Sequence, residues 1–306
     1  MKEIILITGA NGLIARKLSE KLSKDYSVRF LTRKKRKEHE FEWDLKKGTV
    51  DYAAFEGISH IIHLAGANIS EKRWTDERKK ELISSRVDSA RLLMEGVKKQ
   101  NIKLKSFISA SGINYYGTET TEKIYTEEDS PGKDFLSEVV VLWEHAADEF
   151  KKNGLAERVV KLRTAVVLSE KEGALKKLMI PVEYGIGSPL GTGKQYMPWI
   201  HLDDIALMYV YAVKNESIDG AYNAVAPQHV TNAAFTKEVA EVLNRPFIMP
   251  NVPAFLLKFI FGELSAAVLE GSRASSKKIQ NTGFSFRFPD LHNALEDLIK
   301  DKIKKS

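Results

Sequence analysis

The 306-residue chain contains no cysteine, which excludes disulfides, thiolate zinc sites and a cysteine nucleophile. That composition suits a reducing compartment, so the expected address is the cytoplasm. Long apolar runs are missing too. The longest, VPAFLLKFIFG from Val252, is broken by Lys258 and falls well short of the roughly 20 residues a membrane span needs. The N-terminal MKEIILITGANG breaks into glycine too early for a signal peptide, so a soluble protein with no membrane partner is expected. Other signatures fail on inspection. GTGKQ ends in Gln195 and has no glycine five positions before Gly193, so it is not a Walker loop. His60 and His63 lie three apart on an expected strand, where their rings point to opposite faces, so both are read as structural and no metal is expected. No repeat or low-complexity linker marks an independent second domain.

What is present is a chain with 43% hydrophobic and 29% charged residues, enough for one large α/β domain or two smaller ones. The formal net charge is +6, with basic runs at residues 33–37 and from Lys300 to Lys305. A positive balance favours anionic partners without choosing among nucleic acid, membrane and phosphorylated small molecules. Short β-type runs, EIILIT, SVRFLT, HEFEWD and SHIIHLAG, alternate with amphipathic stretches from Gly12 to Leu22 and Asp76 to Lys99. LKSFISAS, the helical FLSEVVVLWE and ERVVKLRTAVVL continue the rhythm. This alternation predicts parallel strands joined by helical crossovers, an α/β Rossmann-type doubly wound sheet of six or so strands. After Ser169 come a glycine-rich loop, GIGSPLGTGKQ, a strand-to-helix step at MPWIHLDDIALMYVYAV, the helix TNAAFTKEVAEVLN and a charged helix near Leu291 to Lys304. The expected division is a nucleotide-binding domain over residues 1–168, with 199–226 returning to it, and a smaller C-terminal substrate lobe over 169–198 and 227–306.

Thr8-Gly9-Ala10-Asn11-Gly12-Leu13-Ile14-Ala15 stands between a predicted strand and a predicted helix. Gly9 permits the sharp turn, Gly12 lets backbone approach a diphosphate, and small Ala15 lets the helix pack against the strand while its N–H groups face the anion. A dinucleotide reading follows. The second strand ends Thr32-Arg33-Lys34-Lys35, with no carboxylate for a ribose 2′-hydroxyl but with cations suited to a 2′-phosphate. The cofactor reading is therefore NADP(H), taken over a solvated loop and a nucleic-acid patch. Asp44 and the strand end Leu64-Ala65-Gly66 complete the expected cofactor set.

TGANGLIA at the start, HLAG at 63–66, SASGINYYG at 109–117 and WIHLDDIA at 199–206 resemble the extended short-chain dehydrogenase/reductases. GANISEKRWT, SSRVDSARLL, FLSEVVVLWEHAA and GAYNAVAPQHVTN narrow the resemblance to an atypical branch, the epimerase-family or SulA-like (cell-division-inhibitor-like) proteins. The superfamily works through a Tyr-x-x-x-Lys pair, in which the ammonium lowers the phenol's pKa so that it can exchange a proton as hydride moves. None of the ten tyrosines here has a lysine four residues on. The resemblance places that pair at Leu136 and Val140, four residues apart on the same helix as Glu144. Losing a positioned general acid costs on the order of a hundred- to ten-thousand-fold in rate. Either another group supplies the proton, or cofactor binds without efficient turnover.

Ser111, the match to the superfamily's serine, and Tyr116 are the catalytic candidates, although Tyr116 before Gly117 more often supports the loop. Tyr115, Glu138 and His145 are weaker substitutes. Asn68, Arg73 and Trp74, with Lys194, Gln195 and Trp199, stand where an extended member would hold its substrate, often a nucleotide sugar. Arg86 stands where many relatives carry an asparagine. VPAFLLKFIFG could serve a homodimer interface, core packing being the commoner use. The reading is an NADP(H)-binding oxidoreductase or epimerase-like protein acting on an unidentified, phosphorylated or sugar-like small molecule. The alternative is a regulator that binds NADP(H) as a signal and meets a protein partner. Nucleic acid is not expected, since the basic residues are not interleaved with aromatics.

Overall fold

A computed structural model describes residues 2–303. In chain order the elements begin β1 (Ile4–Thr8), α1 (Leu13–Leu22), β2 (Ser27–Thr32), β3 (Glu40–Asp44), β4 (Thr49–Val50), β5 (Ile58–His63), α2 (Asp76–Lys99) and β6 (Leu104–Gly112). They continue with β7 (Ile124–Tyr125), α3 (Phe135–Lys152), β8 (Ala156–Thr164), β9 (Val166–Leu168), α4 (Ala174–Glu183), β10 (Trp199–His201), α5 (Leu202–Lys214) and β11 (Gly220–Ala224). The last are α6 (Asn232–Val242), α7 (Ala254–Phe261), α8 (Ala266–Leu269), β12 (Arg273–Ala274), α9 (Lys277–Asn281) and α10 (Leu291–Ile303). The end of the predicted C-terminal helix and the lysines closing the basic tail lie outside the described residues.

The chain divides into two compact units, one of residues 2–112, 138–163 and 206–222, the other of 113–137, 164–205 and 223–303. They are near-equal in length, because residues 113–137 fold with the second unit. There the Tyr116 hydroxyl donates to Asn223 Oδ1 at 2.8 Å, and β7 pairs with β12 in parallel.

The first unit holds an eight-stranded sheet in the order β11-β8-β6-β5-β1-β2-β3-β4. The ladders β5–β6, β1–β5, β1–β2 and β2–β3 are parallel, and only β3–β4 is seen to run antiparallel. The sheet exceeds the six strands expected because a short edge hairpin and β11 extend it. The middles of β1 and β5 are apolar, with Ile5, Leu6, Ile7, Ile61 and Ile62 wholly buried, as suits strands covered on both faces. The strand order reverses at β1, and in such sheets ligands bind beyond the carboxyl ends of the strands at that switch point.

FLSEVVVLWE is helical as its pattern suggests and opens α3, where Asp134 Oδ1 accepts the Ser137 N–H at 2.9 Å and so caps the first turn. In the second unit, α4, α6 and α10 close a core around Trp199, Phe235 and Leu295. Core packing is not the use of VPAFLLKFIFG: within α7 only Leu257 is buried, while Phe255 and Phe259 are 74% and 80% exposed. No helix among the described residues is long and apolar enough to cross a membrane.

Candidate functional site

The turn between β1 and α1 is built for an anion. Gly9 has φ +74°, and an added Cβ would stand 3.1 Å from the Leu64 carbonyl carbon and oxygen, so only glycine fits. Gly12 is the N-cap of α1, with no side-chain cap and no acidic residue in the first turn. The first N–H groups of the helix, those of Leu13 and Ile14 among them, thus have neither an intrahelical partner nor a capping side chain.

Behind the turn lies a buried relay of hydrogen bonds. Thr8 Oγ1 accepts the N–H groups of Leu64 and Ala65, both at 3.0 Å. Its own proton therefore goes to His63 Nδ1, 2.9 Å away, leaving Nε2–H to meet Ser89 Oγ at 3.1 Å. Burial lowers the His63 pKa from 6.5 to about 4, so the ring is neutral near pH 7. His63 thus ties the turn between β1 and α1 to the end of β5. Among the described residues no His, Cys, Asp and Glu side chains cluster as a metal site.

A crevice of about 720 Å³ opens along this edge, lined by Gly9 to Gly12, Thr32 and Arg33, Trp43 to Lys46, Leu64 to Asn68, and the α2 side chains Ser85 and Asp88 among others. A side pocket of about 230 Å³ is lined by Asn11, Thr32, Arg33, Lys34, Arg36 and Glu40. Its loop is held by carboxylates from β3: Glu40 accepts the Arg36 N–H at 2.7 Å and Glu42 the Lys35 N–H at 2.9 Å. Arg33 and Lys34 line this pocket. Lys35 is not among its lining residues, and its ammonium lies 5.4 Å from the centre of the Phe41 ring; Arg36, part of the basic run but left out of the expected cofactor set, stands there instead. Asp44 lines the crevice while its Oδ1 accepts from Lys46 N and Lys47 N. These residues fit a dinucleotide: the turn leaves N–H groups uncapped, the floor is backbone, and cations gather at the tip of β2.

On the other side of β1, Ser111 at the end of β6 is 4% exposed and donates to Glu144 Oε1 at 2.6 Å. Glu144, on α3, is held in turn by Arg163 of β8, with Nε to Oε1 at 2.8 Å and Nη2 to Oε2 at 2.9 Å. The planar guanidinium grips both carboxylate oxygens. A proton can pass through the serine hydroxyl to or from this carboxylate. Arg163 escaped the sequence reading; its only signal was an acidic residue on α3 with no partner on its own helix. Leu136 and Val140 are both buried, while Glu138 and His145 lie exposed on other faces.

Arg86 is 5% exposed, with Nη1 to Leu82 O at 2.9 Å, Nη2 to Ala67 O at 3.1 Å and its guanidinium 4.8 Å from the centre of the Trp143 ring. Asn68 and Arg73 are exposed; Trp74 is half-buried and donates to Ile69 O. In the second unit, Tyr116 is buried, stacked 5.0 Å from Tyr125. Gln195 is buried and donates to Leu190 O and Val268 O, Trp199 is completely buried in the core, and Lys194 is exposed.

A family model described as the NAD dependent epimerase/dehydratase family matches residues 5–225, and a domain of unknown function, DUF1731, matches residues 252–298. Epimerase family protein YfhF of Bacillus subtilis is 36% identical over 97% of this chain and 98% of its own length. The crystal structure of human epimerase family protein SDR39U1 (isoform2) with NADPH superposes with a TM-score of 0.86 at 28% identity, covering 97% of this chain and 99% of that one. The nucleoside-diphosphate sugar epimerase from Corynebacterium glutamicum superposes with a TM-score of 0.80 at 29% identity, over 100% of this chain and 62% of that one.

Proposed function

Because this chain belongs to the NAD-dependent epimerase/dehydratase family and to the extended short-chain dehydrogenase/reductases, we propose that it is an NADP(H)-binding oxidoreductase or epimerase-like protein with an altered proton relay. The carrying observation is the side pocket at the tip of β2, where Arg33, Lys34 and Arg36 gather against the single carboxylate of Glu40. That carboxylate is turned to the Arg36 N–H, so the net field of the pocket is positive and suits a 2′-phosphate. The NADPH in the human SDR39U1 structure supports the same choice.

The N–H groups at Leu13 and Ile14 would hold the diphosphate, and Asp44, Trp43 and Leu45 would flank the adenosine half. When bound, the nicotinamide would supply or accept hydride. Ser111 orients the substrate oxygen and passes its proton to or from Glu144, whose place Arg163 secures. Asn68, Arg73 and Trp74 are proposed on the substrate side of the crevice, whereas the burial of Arg86 sets it behind the crevice wall. A nucleotide sugar is the proposed substrate class, supported by the resemblance to the nucleoside-diphosphate sugar epimerase from Corynebacterium glutamicum. The burial of Trp199 and Gln195 gives those two a packing role in this reading.

Leu136 and Val140 favour a second reading, a cofactor-sensing protein with no efficient turnover, because buried hydrocarbon cannot exchange protons. Turnover separates the two. Purified protein is supplied with NADPH and a panel of carbonyl compounds and nucleotide sugars, with hydride exchange at the nicotinamide followed by mass spectrometry. Turnover lowered at least about a hundredfold by Ser111→Ala supports the enzyme; cofactor binding without any exchange supports the sensor. Replacing Arg33 and Lys34 together by alanine is expected to weaken NADPH at least about tenfold while leaving NADH unchanged. Retained NADPH preference in that variant removes the NADP(H) assignment.

A further inference from the structure

The first unit buries four guanidinium groups, and three have acidic company. Arg163 is chelated by Glu144, Arg78 pairs with Glu81 and Glu71, and Arg158 donates to three backbone carbonyls with Glu216 and Asp219 in its field. Arg86 has none. Among the described residues no carboxylate pairs with it, and its Nε is buried without a partner. A buried charge left uncompensated is costly to folding, so a sequence that keeps one calls for a reason beyond packing.

Burial lowers the Arg86 pKa to about 10, which leaves the group charged at neutral pH. Two backbone carbonyls and the Trp143 ring cover the guanidinium, so it cannot reach a ligand directly. Its charge acts through space, into the crevice that its neighbours line. Gly66 and Ala67 line that crevice, the Ala67 carbonyl accepts from Arg86, and a Cβ on Gly66 would stand 3.1 Å from the Arg86 guanidinium carbon. With the 2′-phosphate end of the cofactor at Arg33 beyond β2, the nicotinamide half is directed to the opposite side of β1, where the ends of β5 and β6 carry Gly66, Ala67 and Ser111.

We infer that Arg86 is a fixed cation behind the nicotinamide subsite that disfavours the positively charged oxidised ring and so makes the protein hold reduced cofactor more tightly than oxidised. This rests on the dinucleotide reading of the crevice. The oxidised nicotinamide is a pyridinium cation and the reduced ring is neutral, so a buried positive charge beside the subsite repels the first far more than it acts on the second. Contacts to the adenosine and diphosphate are common to both forms and cancel in the ratio of their dissociation constants.

The test measures Kd for NADPH and for NADP+ by titration calorimetry on the full chain and on Arg86→Met, Arg86→Gln and Arg86→Lys. The glutamine variant can keep a bond to the Ala67 carbonyl and serves where the methionine variant does not fold. The wild type is expected to favour NADPH; Arg86→Met and Arg86→Gln lower the ratio Kd(NADP+)/Kd(NADPH) by about tenfold, equivalent to about 30 mV for a two-electron couple, and Arg86→Lys retains most of it. A ratio unchanged on removing the charge, or a wild type that binds both forms within about twofold, overturns the inference. Failure of the phosphate assignment is separately visible. It would make NADH bind as well as NADPH, and the NAD+/NADH pair would then carry the same redox ratio and the same test of Arg86.

Discussion

His63 was legible as structural from its position on a strand, but its role behind the phosphate turn was not. The residues it joins, Thr8 and Ser89, are far away in sequence, and only the folded sheet brings them together. Its depressed pKa has a definite consequence. The folded ring stays neutral down to about pH 4, whereas in the unfolded chain it takes a proton near pH 6.5. Stability from this residue is therefore fully present above pH 6.5 and is lost as the pH falls toward 4, by about 3 kcal/mol at 1.36 kcal/mol per pKa unit. Denaturant titrations between pH 7.5 and 4.5 are expected to show that loss, and His63→Gln to flatten the slope; an equally steep slope in the variant would assign the loss to other groups and contradict the neutral buried ring. The basic run gives the same lesson. Five consecutive cations at 33–37 were read as a cluster, yet Lys35 lies over Phe41 and Arg36 enters the pocket, because Glu40 and Glu42 fix the path of the loop.

At the scale of elements, the strand-to-helix turn was the most readable feature, since its geometry is local. Gly9 and Gly12 nevertheless do different work. Alanine at Gly9 meets both a positive φ and the Leu64 backbone, so Gly9→Ala is expected to cost at least about 1–2 kcal/mol of stability. Gly12 has φ −72° and lies exposed. An added Cβ at Gly12 would stand 3.1 Å from the Gly9 carbonyl oxygen, so Gly12→Ala should cost some stability, though less than Gly9→Ala, and weaken NADPH about tenfold or more, as calorimetry and thermal melts can read side by side. Comparable melting losses in both would refute the distinction. The tie between α3 and β8 was not readable, because Ser111, Glu144 and Arg163 meet only through long-range packing. Removing one member strands a buried charge. Arg163→Met is expected to cost about 3–5 kcal/mol, and adding Glu144→Leu should recover a good part of it; strictly additive losses in chemical denaturation would show that the pair is not coupled.

Across the whole molecule, alternating apolar runs announced the parallel sheet because strands covered on both faces need continuous hydrophobic residues. The same reasoning could not tell that residues 113–137 fold with the second unit, or that α7 leaves Phe255 and Phe259 uncovered. Hydropathy records what a segment prefers, and topology decides what covers it. The net charge of +6 is likewise a property of the whole surface, whereas the proposed selectivity comes from three side chains at the tip of one strand. Binding should stabilise the entire fold by mass action, by about 2.7 kcal/mol at a hundred times Kd. The direct measurement is a pair of calorimetric titrations of the unmodified protein with NADPH and NADH under one buffer at physiological salt. The account predicts NADPH binding at least about tenfold tighter, and equal dissociation constants for the two cofactors would contradict it.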